Sequence, residues 1–171
     1  ERFDLRTILV GSVVMGVVAM CVAAPLGLGV AVYLSEYAKP GVRRIIKPVI
    51  EVLAGVPSVI VGFFVLRFVA PNLVAPLFNP TNQSNMLAAG LGIGVLVIPI
   101  MASVSEDALR AVPESLREAS YGIGARRINT VLRVVLPAAI SGLVASFIIA
   151  VSRAIGETMV ALMAGGYDGS G

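Results

Sequence analysis

EASYGIGARRINTVLRVVLP, residues 118–137, lies between two long apolar runs and breaks their character, setting Arg126, Arg127 and Arg133 among small and aliphatic residues. Just upstream, Pro113 can open a helix because its missing N–H would be an unpaired donor there anyway, and Glu114 then sits favourably in the first turn. Leu116, Ala119, Ser120 and Ile123 follow at helical spacing, on one face. Gly122 and Gly124 are expected to end this helix. Ile128, Val131, Leu132 and Val135 resume the period of a second one, in which Pro137 is tolerated only as a kink or near an end. The pattern predicts a short helical knob with a glycine corner, held at a membrane surface. On spacing alone, an ordinary amphipathic connection between helices is the other reading.

The rest of the chain supplies the membrane. Of 171 residues, 57% are hydrophobic and only 13% are charged, giving a mean hydropathy of +0.94. Soluble domains are not composed this way. Apolar runs longer than a buried core helix needs, without strand alternation, predict an all-α polytopic transmembrane bundle, since only helices and closed barrels satisfy their backbone groups in lipid. The net charge of +3 does not imply nucleic acid. Cys21 is the single cysteine, which excludes a disulfide within this sequence and a cysteine metal cluster; it is expected to be a small packing residue. Histidine is absent, and no nucleophile and base converge, so no catalytic residue and no metal site are expected.

Four spans are predicted, at about 8–33, 51–69, 86–103 and 134–163. The first exceeds the roughly 20 residues needed to cross, so it must tilt, kink or protrude, with Tyr33 and Tyr37 marking an interface. The connections carry 4, 0 and 5 Lys or Arg in turn: Lys39, Arg43, Arg44 and Lys47 in the first, none between Ala70 and Asn85, and five from Arg110 to Arg133. The positive-inside rule places the first and third in the cytoplasm and the second outside. Both ends of the sequence are then expected on the extracytoplasmic side. Gly90, Gly92 and Gly94 predict close helix packing. Leu53-Ala54-Gly55-Val56-Pro57-Ser58 predicts a helix break, which either lines a path or is a packing kink, with Ser58 the nearest hydroxyl to a solute. Arg67 is expected to snorkel to an interface.

Arg153 and Glu157 stand four residues apart inside the last run. Each charge at mid-bilayer would cost roughly 2.5–3.5 kcal/mol, so both are expected on one helix face, turned to the bundle interior or to a wet cavity. They either line a translocation path or form a structural ion pair.

Glu118-Ala119, Gly124 after four residues, and then a hydrophobe, one residue and Leu136-Pro137 resemble the EAA loop of permease subunits in binding-protein-dependent ABC importers. Ser120 stands where that family usually has Ala, and Val134 where it usually has Ile. The resemblance implies that Glu118, Ala119, Ser120, Gly124, Leu136 and Pro137 form the coupling element that docks in a groove of a separate ATPase. Further strings resemble the permeases of phosphate-specific (Pst) importers: Pro25-Leu26-Gly27-Leu28-Gly29 followed by Tyr33-Leu34-Ser35-Glu36-Tyr37, the Gly55-Val56-Pro57-Ser58 break, and Arg153-Ala154-Ile155-Gly156-Glu157-Thr158. Met159 resembles the PstC-type subunit more than the PstA-type.

This resemblance implies a single permease domain over 1–171 in a bacterial or archaeal plasma membrane, with one further span before Glu1 and another after Gly171. It implies, as partners, a second permease subunit, an ATPase dimer and an extracytoplasmic phosphate-binding protein. No cofactor is expected on this chain, because it holds no G-x-x-x-x-G-K-[ST] phosphate loop and ATP would be bound by the ATPase. Arg153, Glu157 and Ser58 are its candidate path residues. Permeases for sulfate, molybdate or another small solute share the coupling loop. An ion-coupled secondary transporter or a membrane scaffold would have no use for it.

Overall fold

The computed structural model describes residues 5–78 and 86–165; the expectations for Asn79, Pro80, Asn82, Asn85 and the glycine-rich end fall outside them. The first helix, α1 (Leu5–Val32), continues through a π-helical turn at Tyr33–Tyr37. At 1.5 Å per residue it is about 42 Å long before that turn, against a hydrocarbon core of about 30 Å. It is therefore longer than an upright crossing needs. Pro25 lies inside α1 without ending it.

A 15-residue helix, α2 (Pro40–Ala54), comes next, with proline in its first turn. Val42, Ile45, Val49 and Val52 form an exposed apolar stripe along it, while Arg43 and Lys47 point to the opposite side. It meets α3 (Ser58–Val74) at 84°. The bend sits at Gly55-Val56-Pro57, where Pro57 restricts Val56 to extended conformations and α2 closes with the Gly55 N–H donating to the Val52 carbonyl at 3.0 Å. Residues 51–54, expected to begin the second span, belong to α2 instead. The far end differs too. Helix continues past Ala70 through a π-helical stretch, Val65–Val74, and a turn, Ala75–Phe78. Pro71 lies inside this stretch, whose wider register ends with the Ala75 N–H donating to the Ala70 carbonyl.

The centre of the bundle is α4 (Met86–Arg110), with 61% of its most apolar window buried against 22% for α1. Gly90, Gly92 and Gly94 make this possible. A Cβ on Gly90 would lie 2.7 Å from Cβ of Val18, and one on Gly94 would lie 3.0 Å from the Ala19 carbonyl oxygen. Lipid supplies little hydrophobic drive between helices, so such close approach, with its dispersion contacts, is what joins α1 to α4. Ala19, Ala23, Val65, Ala88, Ile93, Val97, Ala150 and Val160 belong to the main core.

The chain then forms α5 (Glu114–Gly122), α6 (Arg127–Ala138), bent by 73° at Ala139 from α7 (Ile140–Ile155), and α8 (Met159–Gly165). A smaller cluster, Ala31, Leu109, Val112, Val135 and Ala139, joins the ends of α1, α4 and α6. Between α4 and α7, Ser105 and Ser146 share a buried hydrogen bond of 2.8 Å. Among the described residues, two helices are long and apolar enough to cross a membrane, or up to four spans if each bent pair counts as one. Cys21 departs from expectation. It is exposed and lines an apolar groove of about 470 Å³ with Gly16, Val17, Phe147 and Ile155, because the buried face of α1 is taken by Ala19 and Ala23.

Candidate functional site

Two places collect the residues singled out in the sequence, and they lie on different elements. The first is the knob. Pro113 precedes α5, Glu114 is in its first turn, and the helix ends at Gly122, as the pattern predicts. Gly124 makes the corner, with φ +81°. Its N–H donates to the Tyr121 carbonyl at 2.9 Å, and the Ala125 N–H donates to the Ser120 carbonyl at 3.2 Å. This double closure, 5→2 and 6→1, is a Schellman end, and it needs a residue that adopts the left-handed region without a Cβ penalty. Gly124→Val should therefore destabilise the corner by about 1 kcal/mol or more, read as faster proteolytic cleavage between α5 and α6. Gly122→Ala, at a helical position with open space around it, should leave cleavage unchanged.

Of the four residues that share a face by spacing, Ser120 is buried and the other three are not. Leu116, Ala119 and Ile123 are exposed, Ile123 by 87%, and the buried residues are Arg117 and Ser120. Ser120 shares a 2.8 Å hydrogen bond with the Thr130 hydroxyl, which ties α5 to α6. Arg117 is drawn in by Glu36, a carboxylate 5% exposed in the π-helical turn of α1. Its Nη2 donates to Oε1 of Glu36 at 2.9 Å and to the Leu109 carbonyl at 2.9 Å, and its Nη1 donates to the Val112 carbonyl at 2.7 Å. A helix this polar turns inward the side that completes a buried charge, because an unpaired carboxylate there would cost more than exposing Leu116. Glu118 is left exposed beside Ala119, while Leu136 is half-buried and Pro137 exposed at the far end of α6.

A second buried carboxylate holds the neighbouring corner. Glu106, 1% exposed at its side chain, accepts from Nε of Arg43 at 2.7 Å and from Nζ of Lys47 at 2.8 Å, with Nε of Arg110 at 3.9 Å. Lys47 also pairs with Asp107. These bonds fasten the polar face of α2 to the end of α4. Sequence reasoning counts Arg43, Lys47 and Glu106 as loop charge and misses the pairing. The available signal is two cations four residues apart on an amphipathic helix, facing an acid at the end of an apolar run.

The second place is the end of α7. That helix stops at Ile155, and Glu157 lies in the break before α8 rather than on a continuous helix face. Arg153 and Glu157 still approach, Nη2 to Oε2 at 3.8 Å, an ion pair too long for a hydrogen bond. They differ in exposure. Glu157 is buried at 7%, whereas Arg153 is 48% exposed on the outer face of this chain. The bundle interior thus receives only the acid, because the break turns Glu157 inward while α7 itself presents Arg153 outward. Ser58 is half-buried at the start of α3, and a Cβ on Gly62 of the same helix would lie within 3.4 Å of Val160 and Met163 of α8. Among the described residues, no hydrogen bond joins Ser58 to Arg153 or Glu157. Of the three residues expected to line one path, Arg153 and Glu157 approach each other, while Ser58 begins a helix that packs against α8.

A bundle of apolar helices with two broken spans and a polar knob at one end defines a multi-pass membrane protein. The family model for the binding-protein-dependent transport system inner membrane component matches residues 23–171, and the chain belongs to that family. It is 36% identical to the phosphate transport system permease protein PstA 1 of Mycobacterium tuberculosis over 95% of this chain and 51% of that protein. It is 34% identical to the phosphate transport system permease protein PstC of Mesorhizobium japonicum over 93% of this chain and 54% of that protein. The probable ABC transporter permease protein YqgH of Bacillus subtilis stands at 33% over 95% and 52%. The chain thus spans about half the length of these curated relatives. Among solved structures, an inward-facing form of the MetNI methionine ABC transporter shares the fold, with a TM-score of 0.68 and 24% identity over 90% of this chain and 68% of that one.

Proposed function

We propose that this chain is the permease domain of a subunit in an ATP-driven importer that carries inorganic phosphate inward, a transport component and not an enzyme. The observation that supports it best is the similarity to permeases named for phosphate transport through 93–95% of the chain. Relatives of the PstA and PstC types stand at similar identity, so the subunit type is left open. The MetNI neighbour, named for methionine, has the same fold. Cargo is therefore a property of side chains and of the delivering protein.

In this reading the basic connections at Lys39–Lys47 and Arg110–Arg133 face the cytoplasm, and both ends of the sequence lie outside. A separate ATPase pair receives the knob, with Glu118, Ala119 and Ser120 on its helix, Gly124 at its corner and Leu136 and Pro137 closing α6. ATP-driven closure of that pair displaces the knob and rocks the spans, exposing the path to each side in turn. A second permease subunit completes the path, and an extracytoplasmic phosphate-binding protein delivers the anion. Arg153, held out from its own chain, faces the path and offers charge to the oxyanion. Glu157 fixes that guanidinium and weakens its hold enough for release. Ser58, at the α2–α3 break, stands at the path wall.

The test is ATPase activity of the full-length chain reconstituted in lipid with candidate ATPase, second permease and binding protein. Phosphate should stimulate it through the loaded binding protein, and sulfate and molybdate should not. Stimulation by another oxyanion would overturn the cargo, and failure to associate with any ATPase would overturn the class.

A further inference from the structure

The knob is tied to α1 at one residue. Among the described residues, every side-chain hydrogen bond between the 114–137 segment and α1 with its π-helical turn ends on Glu36. Arg117 reaches both carboxylate oxygens, Nη2 to Oε1 at 2.9 Å and Nε to Oε2 at 3.4 Å. From the other side of the glycine corner, Arg127 donates to the Glu36 backbone carbonyl, and its guanidinium lies 5.0 Å over the Tyr37 ring. The Ser35 hydroxyl donates to Oε1 at 2.9 Å and completes the acceptor's shell. Two cations from opposite arms of the knob thus converge on one residue of a span far upstream of them in sequence.

Burying such a pair is a poor way to gain stability, because desolvation offsets most of the attraction, but it fixes geometry. The remaining contacts there are the small cluster of Ala31, Leu109, Val112, Val135 and Ala139, to which the outward-facing Leu116, Ala119 and Ile123 add nothing. The wider π-helical turn that follows α1 carries Glu36 into that position.

We infer that Glu36 is a positioning residue through which displacement of the knob reaches α1, so that α1 and the knob move as one body during transport. This rests on the coupling role proposed above for the knob. The hinges are then the 84° bend between α2 and α3 and the 73° bend between α6 and α7, not the junction of α1 with the knob.

Phosphate uptake and ATP hydrolysis, measured in the same proteoliposomes carrying the full assembly, separate this from a merely structural role. Glu36→Ala should lower phosphate taken up per ATP hydrolysed by about tenfold, a typical coupling effect. Glu36→Asp, which keeps the charge that faces Arg117, should restore part of that ratio. An unchanged ratio in Glu36→Ala, with only less assembled complex, would overturn the inference.

Should Glu36→Ala fail to assemble, spin labels at Cys21 and at Ser115→Cys in the otherwise unaltered assembly decide. Their separation should stay constant between the nucleotide-free and ATP-bound complexes, and a change would overturn the inference. If the unaltered assembly responds to a different oxyanion, the cargo reading fails and the same ratio measured with that anion tests the clasp.

Discussion

Arg153→Gln should reduce phosphate uptake by about 10- to 100-fold while leaving the assembled complex intact, because an oxyanion in transit loses one charge-assisted hydrogen bond of about 1.5–3 kcal/mol. The geometry predicts this separation of transport from assembly. Arg153 is half exposed on the outer face of α7 and meets Glu157 only at 3.8 Å, so its replacement breaks no hydrogen bond within the chain. Arg153→Lys keeps the charge but not the planar fork, and should retain partial uptake. Uptake by proteoliposomes, normalised to complex recovered by affinity purification, distinguishes the outcomes. An unimpaired rate in Arg153→Gln would remove the residue from the path, and loss of the complex would return it to a packing role.

Glu106→Gln should be the most damaging single change to folding. Its side chain is 1% exposed and faces Arg43 at 2.7 Å and Lys47 at 2.8 Å, with Arg110 at 3.9 Å. Neutralising it leaves several cations gathered round a site without its charge, and breaking a buried pair typically costs about 3–5 kcal/mol. A domain stable by roughly 5–15 kcal/mol cannot absorb that without a large loss of folded protein. The neighbouring Asp107, 62% exposed and also paired with Lys47, provides the contrast. Asp107→Asn should cost less than about 1 kcal/mol. Thermal unfolding of the detergent-solubilised protein, followed by the monodisperse fraction, reads both. Equal small shifts would show that Glu106 does not anchor α2 to α4.

Glu36 and Glu106 are the least legible part of the chain. Glu36 is the only acid within a strongly basic connection, and Glu106 comes after an apolar run that ends in polar residues. Local pattern reads each as surface charge, which is where most acids are found. Their partners, Arg117 and Arg43 with Lys47, lie 81, 63 and 59 positions away in sequence. No periodicity spans such distances. The same blindness hides which side of α5 turns in: Leu116 and Ile123 satisfy the helical spacing, but Glu36, from another element, draws Arg117 inward. The helix at Ala70–Phe78 escapes sequence reasoning for a local reason. Proline reads as a terminator, and the π-helical register that carries the chain past Pro71 has no sequence signature.

By itself the sequence determined those features that short-range rules govern. Apolar length required helices in a membrane, proline placed the breaks at Pro57 and near Pro137, and the glycines at 90, 92 and 94 made α4 approachable. Gly124 set the corner of the knob, and the spacing around Glu118 carried the family resemblance that the match over residues 23–171 bears out. Tertiary structure alone decided which charges are buried and which are offered outward. It sent Glu36, Glu106 and Glu157 inward and left Arg153 exposed. For Glu36 and Glu106 the reason is energetic: each carboxylate leaves solvent where cations from other elements converge, and that convergence exists only once the helices have packed.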